Sequence, residues 1–204
     1  MRATAAPRRS MMAFVATVVP CASSAIWLAV FGYSVQIYCD FSGYSDMAIA
    51  IAHTFGIKLP ENFRMPYFAP NITEFWRRWH MTLSRWLRDY VYIPLGGNRA
   101  GRAATYRNVI VTMAIGGLWH GAAWHFVLWG LYHGVLLSVH RMFSRRRETA
   151  SCAWRPFSTL STYLAVSVGW VLFRTPSLAV GRMMLARLVV PSGGIELATI
   201  ELTV

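Results

Sequence analysis

The chain has 204 residues, 55% of them apolar and 14% charged, with a mean hydropathy of +0.39 and nine tryptophans. Soluble domains carry roughly 25% charged residues, so the composition excludes an ordinary soluble protein and predicts an all-α, multi-pass integral membrane protein. The net charge of +12 does not point to nucleic acid. Lys and Arg cluster between apolar runs, as the positive-inside bias predicts, and no separate soluble basic domain is visible. Cys21, Cys39 and Cys152 lack the paired spacing of a disulfide or zinc framework.

Arg2, Arg8 and Arg9 precede an apolar run that resembles a signal peptide. The run continues to about Val35, past any short signal core, and so reads as a signal anchor or spanning helix. Ala13 to Tyr38 is long enough to cross the roughly 30 Å hydrocarbon core. Asp40-Phe41-Ser42-Gly43-Tyr44-Ser45-Asp46 follows, and its carboxylates and hydroxyls read as capping and turn chemistry. A Ser-His-Asp hydrolase is disfavoured because no GxSxG elbow occurs. Met47 to Ile57 is apolar but too short to span alone, and residues 58–70, with Pro60, Pro66 and Pro70, form a loop.

Asn71 to Tyr92 is predicted as one helix, capped by Asn71 with Glu74 three residues on. Ile72, Phe75, Trp76, Trp79, Leu83, Trp86, Leu87 and Tyr90 form an apolar stripe, with Arg77, Arg78, Arg85 and Arg88 off it. Such a helix suits the membrane interface or the edge of a polar cavity. On it, His80 falls at the stripe's margin beside Thr73, Arg77 and Ser84. Pro94 to Arg99 is a turn, and a basic loop with Arg102 and Arg107 follows.

The apolar stretch Val109 to Val139 lies between basic loops. As one helix it would extend about 46 Å at 1.5 Å per residue, too long for one crossing. A break is expected near Gly116-Gly117 and Gly121, giving a re-entrant or broken segment with His120 near its tip. Irregular backbone at that depth requires protein or a water-filled cavity beside it. Phe157 to Phe173 is a further span. Ser177 then caps a short amphipathic helix that ends at Pro191-Ser192-Gly193-Gly194.

His80 and His120 each follow a tryptophan inside an apolar stretch. Histidine exchanges protons near neutrality, and an ionisable group at membrane depth is costly and usually functional. His120 reads either as a core histidine bonded to a carbonyl or as a buried neutral general base. Its flanking glycines favour the base by admitting a substrate close to the backbone. His80 reads as an interfacial histidine packed on Trp76 and Leu87, or as a second polar group orienting a reactant. His53, His125, His133 and His140 raise a haem or metal site, but no HExxH, Cys pair or i,i+4 histidine pair supports one. His133 and His140 share a helix face and read, like His125, as polar packing groups. The arginine cluster reads as a headgroup-facing surface or a hold for an anionic donor.

Four ordered runs then become familiar: Gln36 to Ala48, Asn71 to Ser84, Tyr92-Ile93-Pro94-Leu95-Gly96-Gly97-Asn98, and Gly116-Gly117-Leu118-Trp119-His120-Gly121. They resemble the membrane-bound O-acyltransferase family, in the branch of bacterial alginate O-acetyltransferases, over roughly residues 30 to 180. The resemblance implies one membrane domain across 1–204 with a tunnel through the bilayer, set in the bacterial inner membrane. It implies transfer of an acyl group, most simply acetyl, from acetyl-CoA or another cytoplasmic acyl thioester towards hydroxyls of an exported polysaccharide. An extracytoplasmic partner protein and membrane lipids are the other implied partners, with no bound cofactor or metal. The family's invariant histidine matches His120, implied as general base or covalent relay, and the branch-typical histidine matches His80, implied as accessory. Trp79, Arg77, Arg78, Ser84, Trp119 and Asp40 are the residues expected to hold substrate or donor. Because the chain matches only the later half of such a protein, a non-catalytic fragment or partner-binding subunit is the alternative from another class.

Overall fold

The computed structural model describes residues 23–144 and 154–190. Among these the regular structure is entirely helical. Helix α1 (Ser23–Thr54) runs for 32 residues, so the span expected to end at Tyr38 and the turn expected at Asp40 to Asp46 are one uninterrupted helix. The reason is local. No proline lies between Pro20 and Pro60, and the left-handed stop comes only at Gly56, with φ 75°. There the N–H of Ile57 reaches the carbonyl of Ala52 and the N–H of Gly56 that of His53, both at 3.0 Å. This is the paired C-terminal closure that glycine favours. The apolar run before Ser23 lies outside the described residues, as do the residues from Pro191 onward.

Residues 57–71 form a strap, with a short 3-10 turn at Pro66–Phe68, in agreement with the loop expected from its prolines. Helix α2 (Ile72–Arg78) begins as expected, the Asn71 side chain accepting the Glu74 N–H at 2.9 Å. It does not continue to Tyr92. The chain breaks at Trp79-His80 and resumes as α3 (Met81–Leu87), followed by a π-type turn over Arg88–Tyr92. The expected stripe divides accordingly: Phe75, Trp79, Leu83 and Leu87 are buried, whereas Trp86 and Tyr90 are exposed. A single 3.6-residue period cannot describe a segment that changes pitch twice.

Helices α4 (Gly101–His120) and α5 (Trp124–Ser144) form an antiparallel hairpin. The long apolar stretch is thus broken, as its length requires, with the turn at Gly121-Ala122-Ala123 and His120 as the last residue of α4. Gly116 and Gly117 stay helical and buried. They serve contact instead: a Cβ on Gly117 would stand 2.1 Å from the Phe126 carbonyl oxygen, and one on Gly130 2.2 Å from that of Met113. Small residues at such points let two helix backbones approach closely. Asn108 ties the preceding turn to α4, donating to the carbonyls of Leu95 and Gly97 at 3.0 and 3.1 Å.

Helix α6 (Arg155–Arg174) is long and apolar enough to cross a membrane. Helix α7 (Leu178–Val189) is capped by Ser177, as expected. The main core joins α2, α5 and α6 through Ile72, Phe75, Trp129, Val166 and Trp170, together with Trp79 from the break. A second cluster sets Ile26 and Val30 of α1 against Val171 and Met184. The Tyr67 hydroxyl donates to the Ser34 carbonyl at 2.6 Å, and the Ser34 hydroxyl meets that of Tyr163 at 2.7 Å. Strap, α1 and α6 are thereby joined.

The glycine contacts make a direct prediction. Gly117→Ala or Gly130→Ala forces the hairpin apart and costs about 1–3 kcal/mol, read as a lower melting temperature of the detergent-solubilised protein. Gly43→Ala, where the added carbon meets nothing within 4 Å, leaves the melting temperature level or raised. Equal behaviour of all three would contradict the packing.

Candidate active site

The break and the hairpin tip converge on a cleft of about 470 Å³. One wall is a single face of α1, on which Tyr33, Gln36, Asp40 and Tyr44 recur every three or four residues. Trp79 and His80 enter from the break, Trp119 and His120 from the end of α4, and Trp129 from α5. Trp170, Phe173 and Arg174 of α6 complete the lining. The cleft therefore brings together five of the residues singled out from sequence: His80, His120, Trp79, Trp119 and Asp40. Arg77, Arg78 and Ser84 lie elsewhere. Arg77 and Arg78 pair with Glu74 at 2.6 and 3.7 Å, and the Ser84 hydroxyl donates to the Trp79 carbonyl at 3.4 Å.

Trp119 stands between the two histidines, its ring centroid 6.1 Å from that of His80 and 5.0 Å from that of His120. Trp129 and Phe173 meet the His120 ring nearly edge-on at 5.3 and 5.0 Å. Aromatic rings thus hold His120 where it lines the cleft.

His80 is held differently, among the rings of Phe41, Phe63 and Trp119. Its backbone is left-handed, with φ 43° and ψ 53°, a conformation that costs a non-glycine residue roughly 1–3 kcal/mol. Phe41 packs perpendicular to its ring at 4.6 Å. Nδ1 lies 3.2 Å from the Asn62 side-chain oxygen, and Nε2 is buried with no hydrogen-bond partner. The same Asn62 oxygen accepts the Thr82 N–H at 3.2 Å and the Thr82 hydroxyl at 3.0 Å, while the Asn62 amide donates to Ser45 at 3.1 Å. Burial, with a smaller contribution from nearby His120, pushes the His80 pKa down to about 4. The ring is therefore neutral at working pH.

Sequence reasoning missed Gln36, Tyr33 and Arg174. The signal for the first two was present, since polar groups recur at helical spacing within an apolar run. Arg174 closes α6 as a charge at the end of an apolar helix, its guanidinium 5.4 Å over the Tyr33 ring. Asn62 was missed as well, and its partners lie 17 to 20 residues away in sequence. His133 and His140 are packing groups. His133 is enclosed by Phe75, Trp76 and Trp129, and His140 meets the Thr73 hydroxyl at 3.0 Å on the same face of α5. Among the described residues no three His, Cys, Asp or Glu side chains gather as a metal site.

The buried state of His80 sets a pH dependence. The folded chain takes up its proton near pH 4, while the unfolded chain does so near 6.5, so between these values the unfolded state binds more protons and stability rises with pH. The melting temperature should fall as pH drops from 6.5 towards 4. His80→Asn, which tolerates the left-handed backbone, should make that fall shallower. An unchanged slope would show that His80 is not the buried neutral group described.

Comparison with known proteins places this geometry. The family model for the membrane-bound O-acyltransferase family matches residues 2–181. A probable alginate O-acetylase of Azotobacter vinelandii is 51% identical over 160 residues, covering 78% of this chain and 32% of the relative. A peptidoglycan O-acetyltransferase of Helicobacter pylori is 52% identical over 153 residues, or 74% of this chain and 29% of the relative. A teichoic acid D-alanyltransferase of Bacillus subtilis is 35% identical over 150 residues, or 69% and 37%. The chain thus spans about a third of the length of these relatives. With the family model matched over most of its length and both histidines on one cleft, the chain belongs to the membrane-bound O-acyltransferase family.

Proposed function

We propose that the cleft is the acyl-transfer centre of a membrane-bound O-acetyltransferase acting on an exported polysaccharide. The observation that carries this reading is the convergence of His80 and His120 on one aromatic-lined cleft. The names of the alginate and peptidoglycan relatives support a glycan acceptor and an acetyl group. Acetyl-CoA or another acyl thioester is the donor.

An acceptor hydroxyl attacks the thioester carbonyl. The new C–O bond forms as the C–S bond breaks, and the hydroxyl proton passes through His120 to the leaving thiolate, which departs as a thiol. A partly buried imidazole flanked by Trp119, Trp129 and Phe173 suits a general base of this kind. His120 can alternatively carry the acyl group covalently before the hydroxyl takes it. His80 positions the reactants, and Trp79, Trp119 and Asp40 line the path. Arg77 and Arg78, on the outer face of α2, meet an anionic donor or a lipid headgroup before it reaches the cleft.

The setting we infer is the bacterial inner membrane, crossed several times. The apolar side chains that α1 turns outward, among them Leu28, Val35, Met47 and Ile51, suit lipid or further helices of the whole protein. Helices α4 and α5, with 20 and 21 residues, are about 30 Å long, which suits a hairpin inserted in the bilayer. An extracytoplasmic protein that passes the acetyl group to the polymer completes the system.

In cells, His120→Ala in the complete protein should abolish acetyl-ester content of the exported polysaccharide while the protein still accumulates in the membrane. Ester content at the wild-type level would remove His120 from the chemistry.

A further inference from the structure

The Asn62 network contains a constraint that decides a proton position. A backbone N–H can only donate, so the Asn62 side-chain atom 3.2 Å from the Thr82 N–H is the carbonyl oxygen. The amide orientation follows from that bond, and it agrees with the amide nitrogen donating to the Ser45 hydroxyl at 3.1 Å. His80 Nδ1 lies 3.2 Å from the same oxygen. A carbonyl oxygen offers no proton, and the Thr82 hydroxyl 3.5 Å from Nδ1 gives its one proton to the Asn62 oxygen at 3.0 Å, so Nδ1 must carry a proton to make this bond. In a neutral imidazole the other nitrogen is then a bare acceptor. That nitrogen, Nε2, is buried without a partner on a ring that lines the cleft. A buried acceptor left unmet is costly, and a ligand carrying a donor relieves that cost.

We propose that Asn62 is a positioning residue that locks His80 as its Nδ1–H tautomer, so that Nε2 accepts a hydrogen bond from a hydroxyl of the bound substrate. Naming a hydroxyl rests on the acyl-transfer reading above; the tautomer does not. The assignment divides two roles otherwise open to His80. Stabilising an oxyanion needs an N–H on Nε2, which this tautomer lacks. Orienting a hydroxyl-bearing acceptor needs a lone pair there, which it has. His80 thus recognises the acceptor alcohol, through a hydroxyl other than the one that gives its proton to His120. The site discriminates against an acceptor in which that hydroxyl is removed or methylated.

Four neighbouring features serve the same end. The left-handed backbone at His80 turns its side chain out of the helical path. Phe41 and Trp119 fix the ring plane from two sides, at 4.6 and 6.1 Å. Asn62 itself is buried, so water does not compete for its oxygen. Thr82 bonds the same oxygen through both its N–H and its hydroxyl, which prevents the amide from turning over.

The test is nitrogen-15 NMR of histidine-labelled full chain in lipid nanodiscs at neutral pH, with the His80 signals assigned by their loss in His80→Gln. The expected spectrum has a protonated-type shift at Nδ1 and a bare-type shift at Nε2. A proton on Nε2 in the unaltered protein would overturn the proposal without recourse to any Asn62 variant. Asn62→Asp, which keeps an oxygen facing the same donors, should retain the tautomer. Asn62→Leu, where it accumulates folded, should lose the preference, and an unchanged tautomer there would exclude Asn62 as the cause. In the complete protein, Asn62→Leu should lower kcat/KM for acetyl transfer at least ~10-fold, with Asn62→Asp restoring part of the loss. Removing the recognised hydroxyl from the acceptor should cost the unaltered enzyme a similar factor and Asn62→Leu little more. The NMR result needs no turnover, so a failed transfer assay counts against the functional reading and leaves the tautomer to its own evidence.

Discussion

Three hydrogen bonds from the strap to the interrupted helix are what the rest of this structure depends on. In a continuous helix the N–H groups of Met81 and Thr82 would donate to the carbonyls of Arg77 and Arg78. At the break these donors and the Arg78 carbonyl are stranded. The Asn62 carbonyl takes the Met81 N–H at 3.0 Å, the Asn62 side chain takes the Thr82 N–H at 3.2 Å, and the Arg64 N–H meets the Arg78 carbonyl at 2.9 Å. Each such bond is worth about 0.5–1.5 kcal/mol net, and a stranded buried group costs more. Together they offset the roughly 1–3 kcal/mol of left-handed strain at His80. One asparagine therefore serves as the cap of α3, supplied from outside the helix it caps.

The break has a consequence for the site. On an unbroken helix His80 would point with Thr73, Arg77 and Ser84. The interruption instead places it on the cleft wall with Trp79, opposite the polar face of α1. The second histidine arrives by a separate route. Close backbone contact at Gly117 and Gly130 sets the register of the α4–α5 hairpin, and that register leaves His120 at the turn. Two unrelated local devices, a strapped break and a glycine-packed hairpin, thus converge on one volume. The aromatic core behind them, with Phe75, Trp79, Trp129 and Trp170 in mutual contact, holds both devices to the same body.

Much of this was legible in the residues, wherever a feature is written locally. Asn71 and Ser177 act as the caps their types suggest, the prolines of 58–70 keep that segment out of a helix, and the long apolar stretch after Val109 breaks because its length demands it. The two histidines stood out because each is an ionisable group in an apolar setting. What stayed hidden is what distant segments supply. Nothing in Trp76-Arg77-Arg78-Trp79-His80 marks a break, because no glycine or proline lies there and the compensating bonds come from Asn62 and Arg64. Asp40 to Asp46 carries turn-forming residues, yet α1 runs through it, since turn chemistry without a proline or a left-handed glycine does not stop a helix. Gln36 and Arg174 lie far apart in sequence and line one cleft only because α1 and α6 both border it. Gly130 and Gly134 of α5 take their packing role only against Met113 and Ile110 of α4.

The central claim is that Asn62 closes a real interruption of the helix at His80. Amide hydrogen exchange of the membrane-reconstituted protein, unaltered and as Asn62→Ala, tests it most directly. The Thr82 amide should exchange slowly in the unaltered protein and quickly in the variant. The Met81 amide, which depends on the Asn62 backbone carbonyl, should remain protected in both. Unchanged protection of Thr82 in Asn62→Ala would mean that its N–H is bonded within a continuous helix, and would contradict the account.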